Sequence, residues 1–158
     1  MMGGATEIPL TQRPLMSAPR QAHIIEVGTR DGIQAEKQFV ETEQKLHMLE
    51  LILAAGVKRV EATSFVSPKH VPQLADAEAV LAAMPRPEGV EIEALVPNMR
   101  GMERALACQL DRIVLFVAAS EGFNLKNLRA GREKMLDAAR EAAKEALQPQ
   151  MANSEKMN

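Results

Sequence analysis

The apolar residues of the chain fall into short runs that alternate with longer segments of helical spacing. The short runs predict four β-strands, at residues 24–27, 57–62, 91–96 and 112–118. The longer segments predict four helices, at residues 42–55, 74–84, 99–109 and 132–147. Because strands that alternate with helices favour parallel pairing through crossover connections, the pattern predicts an α/β fold of four βα units.

Capping residues and the remaining segments complete this interpretation. Thr42 is predicted to cap the first helix, which buries a stripe of leucines and ends at Gly56. Asn98 is predicted to cap the third helix. The apolar run at 113–117 is typical of a strand buried on both faces.

The chain is predicted to contain one folded unit between two tails. The folded unit spans 23–147, with loops at 63–72 and 120–129. Residues 1–22 are predicted to be a flexible tail, and residues 148–158, which have no periodic pattern, a disordered one.

Two architectures fit this order of elements, a doubly wound open sheet and half of a (β/α)8 barrel. No Gly-x-Gly-x-x-Gly or Walker A sequence follows a predicted strand, which weakens the case for a nucleotide-binding open sheet. Four βα units make half of a barrel, which needs about 250 residues when complete. In either fold, polar residues that follow the strands meet at the functional edge of the sheet, among them Arg30, Asp31, Glu61 and Asn98.

Composition excludes several classes of protein. With 158 residues, of which 46% are hydrophobic and 25% charged, the chain makes one globular domain or part of a larger one. A net charge of −2, and four Phe without Trp or Tyr, argue against a nucleic-acid partner. No apolar run is long enough to cross a bilayer, so no membrane partner is expected. The single cysteine, Cys108, fits a reducing compartment, and we expect a cytoplasmic location.

The segment at 26–37 carries the clearest chemistry. Arg30 and Asp31 are adjacent between Gly28 and Gly32, directly after the first predicted strand. A carboxylate is a suitable ligand for Mg²⁺ or Mn²⁺, and a guanidinium offers a fixed fork of donors for a developing oxyanion. The alternative interpretation is an ordinary surface turn with an ion pair of little energetic worth.

Longer motifs give this segment a family context. The segments 30–37 (RDGIQAEK) and 61–69 (EATSFVSPK) resemble the first-strand and second-strand motifs of the 3-hydroxy-3-methylglutaryl-CoA lyase family. Pro97-Asn98, the run 118–121 and Lys126-Asn127 match in order, so the resemblance covers residues 23–145. Members of this family are barrels that cleave hydroxymethylglutaryl-CoA to acetyl-CoA and acetoacetate with a divalent cation.

The resemblance implies roles for particular residues. Asp31 would be a metal ligand for Mg²⁺ or Mn²⁺, Arg30 would stabilise the enolate-like oxygen, and Glu61 would pair with Arg30 and support it. The residues that would contact the acyl-CoA substrate are Gln34, Lys37, Ser64, Asn98, Lys126 and Asn127.

The chain also departs from the family pattern. A His-x-His metal pair, an asparagine ligand and a cysteine-bearing loop belong to the family's second half, and the chain contains none of them. We therefore expect this chain to be truncated and inactive alone, with exposed strand edges that allow homo-oligomers. A non-catalytic fragment or binding module, and a related aldol-type lyase or synthase, are the alternatives. In a eukaryote the expected location is the mitochondrial matrix.

Overall fold

The structure, a computed structural model, describes the backbone of residues 22–128 and 130–155, and these side chains except 127, 128 and 145–155. Its helices are α1 (Thr42–Ala54), α2 (Ala77–Ala83), α3 (Met99–Leu106), α4 (Glu121–Phe123) and α5 (Arg132–Glu155). Its strands are β1 (Arg59–Ser64), β2 (Glu91–Leu95) and β3 (Arg112–Val114). π-Helical turns occupy Gly28–Gly32 and Asn124–Leu128, and a 3₁₀ turn occupies Pro72–Leu74.

The strands form one parallel sheet in the order β1-β2-β3, as the alternation of strands and helices predicts. The first predicted strand is reduced to a single parallel bridge between Glu26 and Val60. The backbone N–H of Glu26 donates to the carbonyl of Arg59, the first residue of β1. Residues 22–25 precede this bridge and are not part of a strand.

The two faces of the sheet differ in chemistry because side chains alternate along each strand. Val60, Ala62, Ile92 and Ala94 are buried in the core against the helices. The alternate positions carry charged residues, Arg59 and Glu61 on β1, Glu91 and Glu93 on β2, and Arg112 on β3. The sheet thus has one apolar face under the helices and one charged face.

The first helix begins where the pattern predicts, although a different residue caps it. Glu41 is the N-cap, and its backbone N–H donates to Oε1 of Gln44 at 3.2 Å. The hydroxyl of Thr42 instead donates to Asp76 at 2.7 Å, which ties α1 to the segment before α2. Gly56, with φ of +88°, follows the helix in the left-handed conformation that a C-terminal glycine allows.

Several other boundaries differ from prediction. Strand β1 continues to Ser64, so the loop after it starts later than residue 63. Strand β3 ends at Val114, and the predicted loop at 120–129 is largely helical. Helix α5 continues to Glu155, so residues 148–155 are helical where a disordered tail was predicted. The predicted tail at 1–22 lies, apart from Ala22, outside the described residues.

The strand at 112–118 is also less buried than its apolar sequence predicts. Ile113 and Leu115 are partly buried against the core, but 46% of Phe116 is exposed. The reason is position, since β3 is the edge strand of the described sheet. None of the described helices is both long and apolar enough to span a membrane.

Candidate functional site

Three of the predicted site residues meet at one point beside β1. The Nε of Arg30 donates to Oε1 of Glu61 at 2.5 Å, and its Nη1 donates to Oδ1 of Asp31 at 2.6 Å. Only 17% of the Arg30 side chain and 6% of the Glu61 side chain are exposed, whereas 64% of the Asp31 side chain is. The guanidinium is therefore bound by Glu61 on its buried side and by Asp31 on its exposed side.

Local backbone structure explains why the cluster forms. The π-helical turn Gly28–Gly32 follows the Glu26 bridge and turns Arg30 back over β1. Thr29 is buried, and its hydroxyl donates to the carbonyl of Glu61 at 3.5 Å. The backbone N–H of Gly28 donates to the carboxylate of Glu26 at 2.7 Å.

These two supports, Thr29 and Glu26, were not among the residues predicted for the site. A threonine in a glycine-flanked turn carries no pattern that distinguishes a buried hydroxyl from an exposed one. Glu26 lies at the end of an apolar run, where its position was visible but its hydrogen bond to the following turn was not.

The two carboxylates differ in exposure and therefore in what they can bind. Glu61 is buried and paired, so it fixes the orientation of Arg30. Asp31 is exposed and presents hard oxygen atoms, which suits one ligand of a divalent cation. Among the described residues no three His, Cys, Asp or Glu side chains are grouped so that they could hold a metal. Asp31 therefore fits a divalent cation as a single ligand, and the described side chains do not complete the coordination.

Three of the residues predicted to contact substrate lie at the surface. Gln34 and Lys37 are exposed after the π-helical turn, and Lys126 is exposed in the turn that follows α4. The side chain of Asn127 lies outside the described residues.

Ser64 and Asn98 each have a hydrogen-bond partner in the described part of the chain, and their contact with substrate stays a prediction. Ser64 is fully buried, and its hydroxyl donates to the carbonyl of Leu95 at 3.2 Å. The side-chain oxygen of Asn98 accepts from the backbone N–H of Gly101 at 3.0 Å and caps α3, as predicted, while the residue as a whole is exposed.

A second buried ion pair lies beside the cluster and was not predicted. Glu93 is 1% exposed, and the Nε of Arg59 donates to its Oε2 at 2.7 Å. In the sheet register Glu93 is the direct partner of Glu61. The alternation of Glu91, Ile92 and Glu93 is visible in the sequence, but alternation alone does not reveal that the charged face is buried at this point.

Cys108 does not resemble a catalytic thiol. It lies just after α3, its Sγ contacts the carbonyl of Arg104 at 3.4 Å, and burial raises its pKa above the ordinary thiol value. A raised pKa leaves less of the nucleophilic thiolate. A cleft lies at the opposite end of the sheet, among Lys58, Glu91 and Arg112 at the amino ends of the strands. Parallel barrels carry their chemistry at the carboxyl ends, so we assign the site to Arg30 and its partners.

Comparison with known proteins gives the family to which the chain is similar. The HMGL-like family model matches residues 21–154. The mitochondrial hydroxymethylglutaryl-CoA lyase of Macaca fascicularis is 38% identical over 149 residues, 92% of this chain and 46% of the relative. A 3-hydroxy-3-isohexenylglutaryl-CoA/hydroxy-methylglutaryl-CoA lyase of Pseudomonas aeruginosa is 39% identical over 122 residues, 77% of this chain and 41% of the relative.

Solved structures agree with the sequence relatives. The HMG-CoA lyase of Bacillus subtilis matches with a TM-score of 0.79 and 38% identity, over 85% of this chain and 44% of that one. An HMG-CoA lyase of Acinetobacter baumannii in complex with coenzyme A and 3-methylmalate matches with a TM-score of 0.75 and 34% identity, over 79% and 41%.

These matches decide between the two architectures predicted from the sequence. The matching structures are TIM barrels, so the parallel sheet and its helices are part of a (β/α)8 barrel and not a doubly wound open sheet. The chain spans about half the length of the curated relatives it matches.

Proposed function

The chain belongs to the HMGL-like family, and we propose that its residues form the Arg-Asp-Glu part of an active site that cleaves 3-hydroxy-3-methylglutaryl-CoA to acetyl-CoA and acetoacetate. The observation that carries this proposal is the clamp on Arg30, which one buried and one exposed carboxylate hold at the edge of β1. Identities of 38% and 39% to proteins named as lyases of this substrate support it.

The reaction requires charge to move from one oxygen of the substrate to another. The proton of the tertiary hydroxyl leaves, the oxygen forms a ketone, and the adjacent carbon–carbon bond breaks. The electron pair of that bond moves onto the thioester as an enolate, which takes up a proton to become acetyl-CoA. The ketone product is acetoacetate.

The residues of the clamp suit the substrate oxygen that becomes charged during this reaction. Arg30 carries five N–H donors, and Nε and Nη1 are the atoms that engage Glu61 and Asp31. Because Glu61 fixes the guanidinium before substrate arrives, donors toward the developing oxyanion need no reorganisation during the reaction. Asp31, exposed at the same point, would supply one ligand of a Mg²⁺ or Mn²⁺ ion. Such an ion would act as a Lewis acid on the substrate's oxygen atoms.

The acyl group is the least constrained part of the proposal. The Pseudomonas aeruginosa relative is named for an isohexenylglutaryl substrate as well as the methyl one. A longer branched acyl-CoA is therefore the second candidate substrate. A solved relative in complex with coenzyme A supports an acyl-CoA ligand for either candidate.

A chimera tests the proposal directly. Residues 21–154 of this chain would replace the matched segment of the Pseudomonas aeruginosa lyase, and acetoacetate release would be measured with hydroxymethylglutaryl-CoA and Mg²⁺ or Mn²⁺. We expect metal-dependent turnover, strongly reduced by Asp31→Asn and unchanged by Asp137→Asn. Asp137 is a suitable control because it is an exposed aspartate on α5 that pairs with Arg140. A folded chimera that binds coenzyme A but releases no acetoacetate would instead favour the non-catalytic module.

We also propose that the 158 residues alone do not turn over substrate. The reason is the ligand count, since a cation held by Asp31 and water alone would be weakly bound and poorly oriented. The same assay on the isolated chain checks this, and metal-dependent acetoacetate release from it would contradict the ligand argument.

A further inference from the structure

Two buried carboxylates face each other beside the proposed active site. Glu61 on β1 and Glu93 on β2 are direct partners in the parallel register, and they are 5% and 1% exposed. Like charges directly opposite one another destabilise a sheet. Each carboxylate has its own arginine, Arg30 for Glu61 and Arg59 for Glu93, with Nε-to-oxygen distances of 2.5 and 2.7 Å.

The two ion pairs lie side by side on neighbouring strands of the charged face. Neighbouring strands lie about 4.8 Å apart, so the side chains of Glu61 and Glu93 leave the sheet side by side. A guanidinium has five N–H donors, so Arg30 can donate a hydrogen bond to a further anionic partner. A buried carboxylate that loses its cation must find another, take up a proton or move to solvent. For Glu93, Arg30 is the cation that already lies against its cross-strand neighbour.

We propose that Arg59 is a positioning residue of the Arg30 site. By holding Glu93, it prevents that carboxylate from drawing Arg30 away from Glu61 and Asp31. The consequence for catalysis rests on the proposed lyase function, whereas the geometry of Arg30 can be measured without it.

The structure predicts that replacing Arg59 and replacing Glu93 have different effects on Arg30. Arg59→Met leaves the buried Glu93 without its cation, so Glu93 turns toward Arg30. Glu93→Gln leaves Arg59 without its shortest partner, but 29% of the Arg59 side chain is exposed and its Nε lies 3.7 Å from Glu91. Arg59 can therefore be accommodated without disturbing Arg30. A pair with only a structural role would make the two substitutions act alike.

Nitrogen-15 NMR of the whole chain tests this asymmetry. The Nε–H resonance of Arg30, identified by its loss in Arg30→Lys, reports the hydrogen bond to Glu61 through its rate of exchange with water. In Arg59→Met we expect exchange about tenfold faster, the change produced by losing one charge-assisted hydrogen bond. In Glu93→Gln we expect the wild-type rate within about twofold, because Arg30 keeps both of its carboxylates.

Two further variants make every outcome informative. Arg112→Met removes another arginine from the charged face, one that pairs with Glu91, and should leave the Arg30 resonance unchanged. The double variant Arg59→Met/Glu93→Gln should restore the wild-type resonance, even if Arg59→Met alone does not fold. An unchanged Arg30 resonance in Arg59→Met, equal effects of Arg59→Met and Glu93→Gln, or a double variant that does not recover, would overturn the proposal.

The activity of the chimera then separates this inference from the function itself. If the chimera is active, Arg59→Met should lower kcat with little change in KM, whereas Glu93→Gln should leave kcat unchanged. If the chimera is inactive, the lyase proposal fails, while the NMR comparison still decides whether Arg59 positions Arg30.

Discussion

The two carboxylates that hold Arg30 should contribute unequally to stability, and substituting each one measures the difference. Glu61→Gln and Asp31→Asn each remove one negative charge and keep the shape of the side chain. Glu61 has a 6% exposed side chain against an arginine that is 17% exposed, whereas Asp31 is 64% exposed. The first substitution acts on a buried ion pair and the second on a pair at the surface.

The magnitudes follow from these exposures. Breaking a buried ion pair from one side costs about 3–5 kcal/mol. The glutamine side chain still offers an oxygen that accepts from the Arg30 Nε–H, and Asp31 still pairs with the guanidinium. We therefore expect Glu61→Gln to lower the free energy of unfolding by about 2 kcal/mol. Asp31→Asn should cost less than about 0.5 kcal/mol, as for other exposed pairs. In a domain of this size, the Glu61→Gln cost lowers Tm by roughly 4–8 °C.

Urea unfolding followed by far-UV circular dichroism measures both values. The chain contains neither Trp nor Tyr, so its intrinsic fluorescence is too weak to follow unfolding. Equal m-values across the variants are needed before midpoints are compared, because a changed slope means a changed denatured or native state. Equal losses of stability in the two variants, or a loss below about 0.5 kcal/mol in Glu61→Gln, would refute the conclusion that Glu61 stabilises the chain more than Asp31 does.

Two further predictions concern packing and pH. Gly101→Ala should destabilise the chain by about 1–3 kcal/mol, since a Cβ there would lie 2.9 Å from the backbone oxygen of Phe65. Gly122→Ala, whose Cβ would meet nothing closer than 4.0 Å, should be neutral or stabilising by up to about 1 kcal/mol in the same urea assay. The bidentate bond from Arg104 lowers the pKa of Glu78 below the ordinary value of 4.5. The stabilisation by this pair is therefore present above the ordinary value and is lost as the pH falls through the folded value. Glu78→Gln should cost less than about 1 kcal/mol at neutral pH, and a difference from wild type that persists in acid would contradict this origin.

The Arg30 clamp could be predicted from the sequence because its parts lie in two long motifs next to predicted strands. Arg30, Asp31 and Glu61 need only the end of one strand and the body of its neighbour to meet. The apolar stripe of α1 was likewise predictable, and Leu49 is fully buried. In each case the contacts depend on local spacing and one neighbouring element.

Ser64 lies in a part of β1 whose pairing the sequence does not reveal. The register of β1 with β2 shifts between Glu61 and Thr63, so the end of the strand is out of phase with its beginning. A one-residue shift in a strand moves side chains to the opposite face. The sequence at 61–64 does not alternate in a way that reveals this irregularity, so the hydrogen bond from Ser64 to β2 could not be predicted.

The exposed residues at the two edges of the sheet have a common cause, which would also leave the proposed cation site incomplete. Ile24, beside β1, is 76% exposed, and Phe116, after β3, is 46% exposed, although both lie in apolar runs typical of buried strands. In a closed barrel such edges are paired with further strands, and this chain covers 44% of the chain of the Bacillus subtilis lyase. A feature is complete here when both of its partners lie within the described residues, as for Arg30 with Glu61. It is incomplete when its partners would come from across the barrel, as for the exposed Asp31. Burial of Ile24 and Phe116 and completion of the ligand set should therefore depend on the same added strands. Amide hydrogen exchange of the lyase chimera, compared with the isolated chain, would measure the first change, and metal affinity the second.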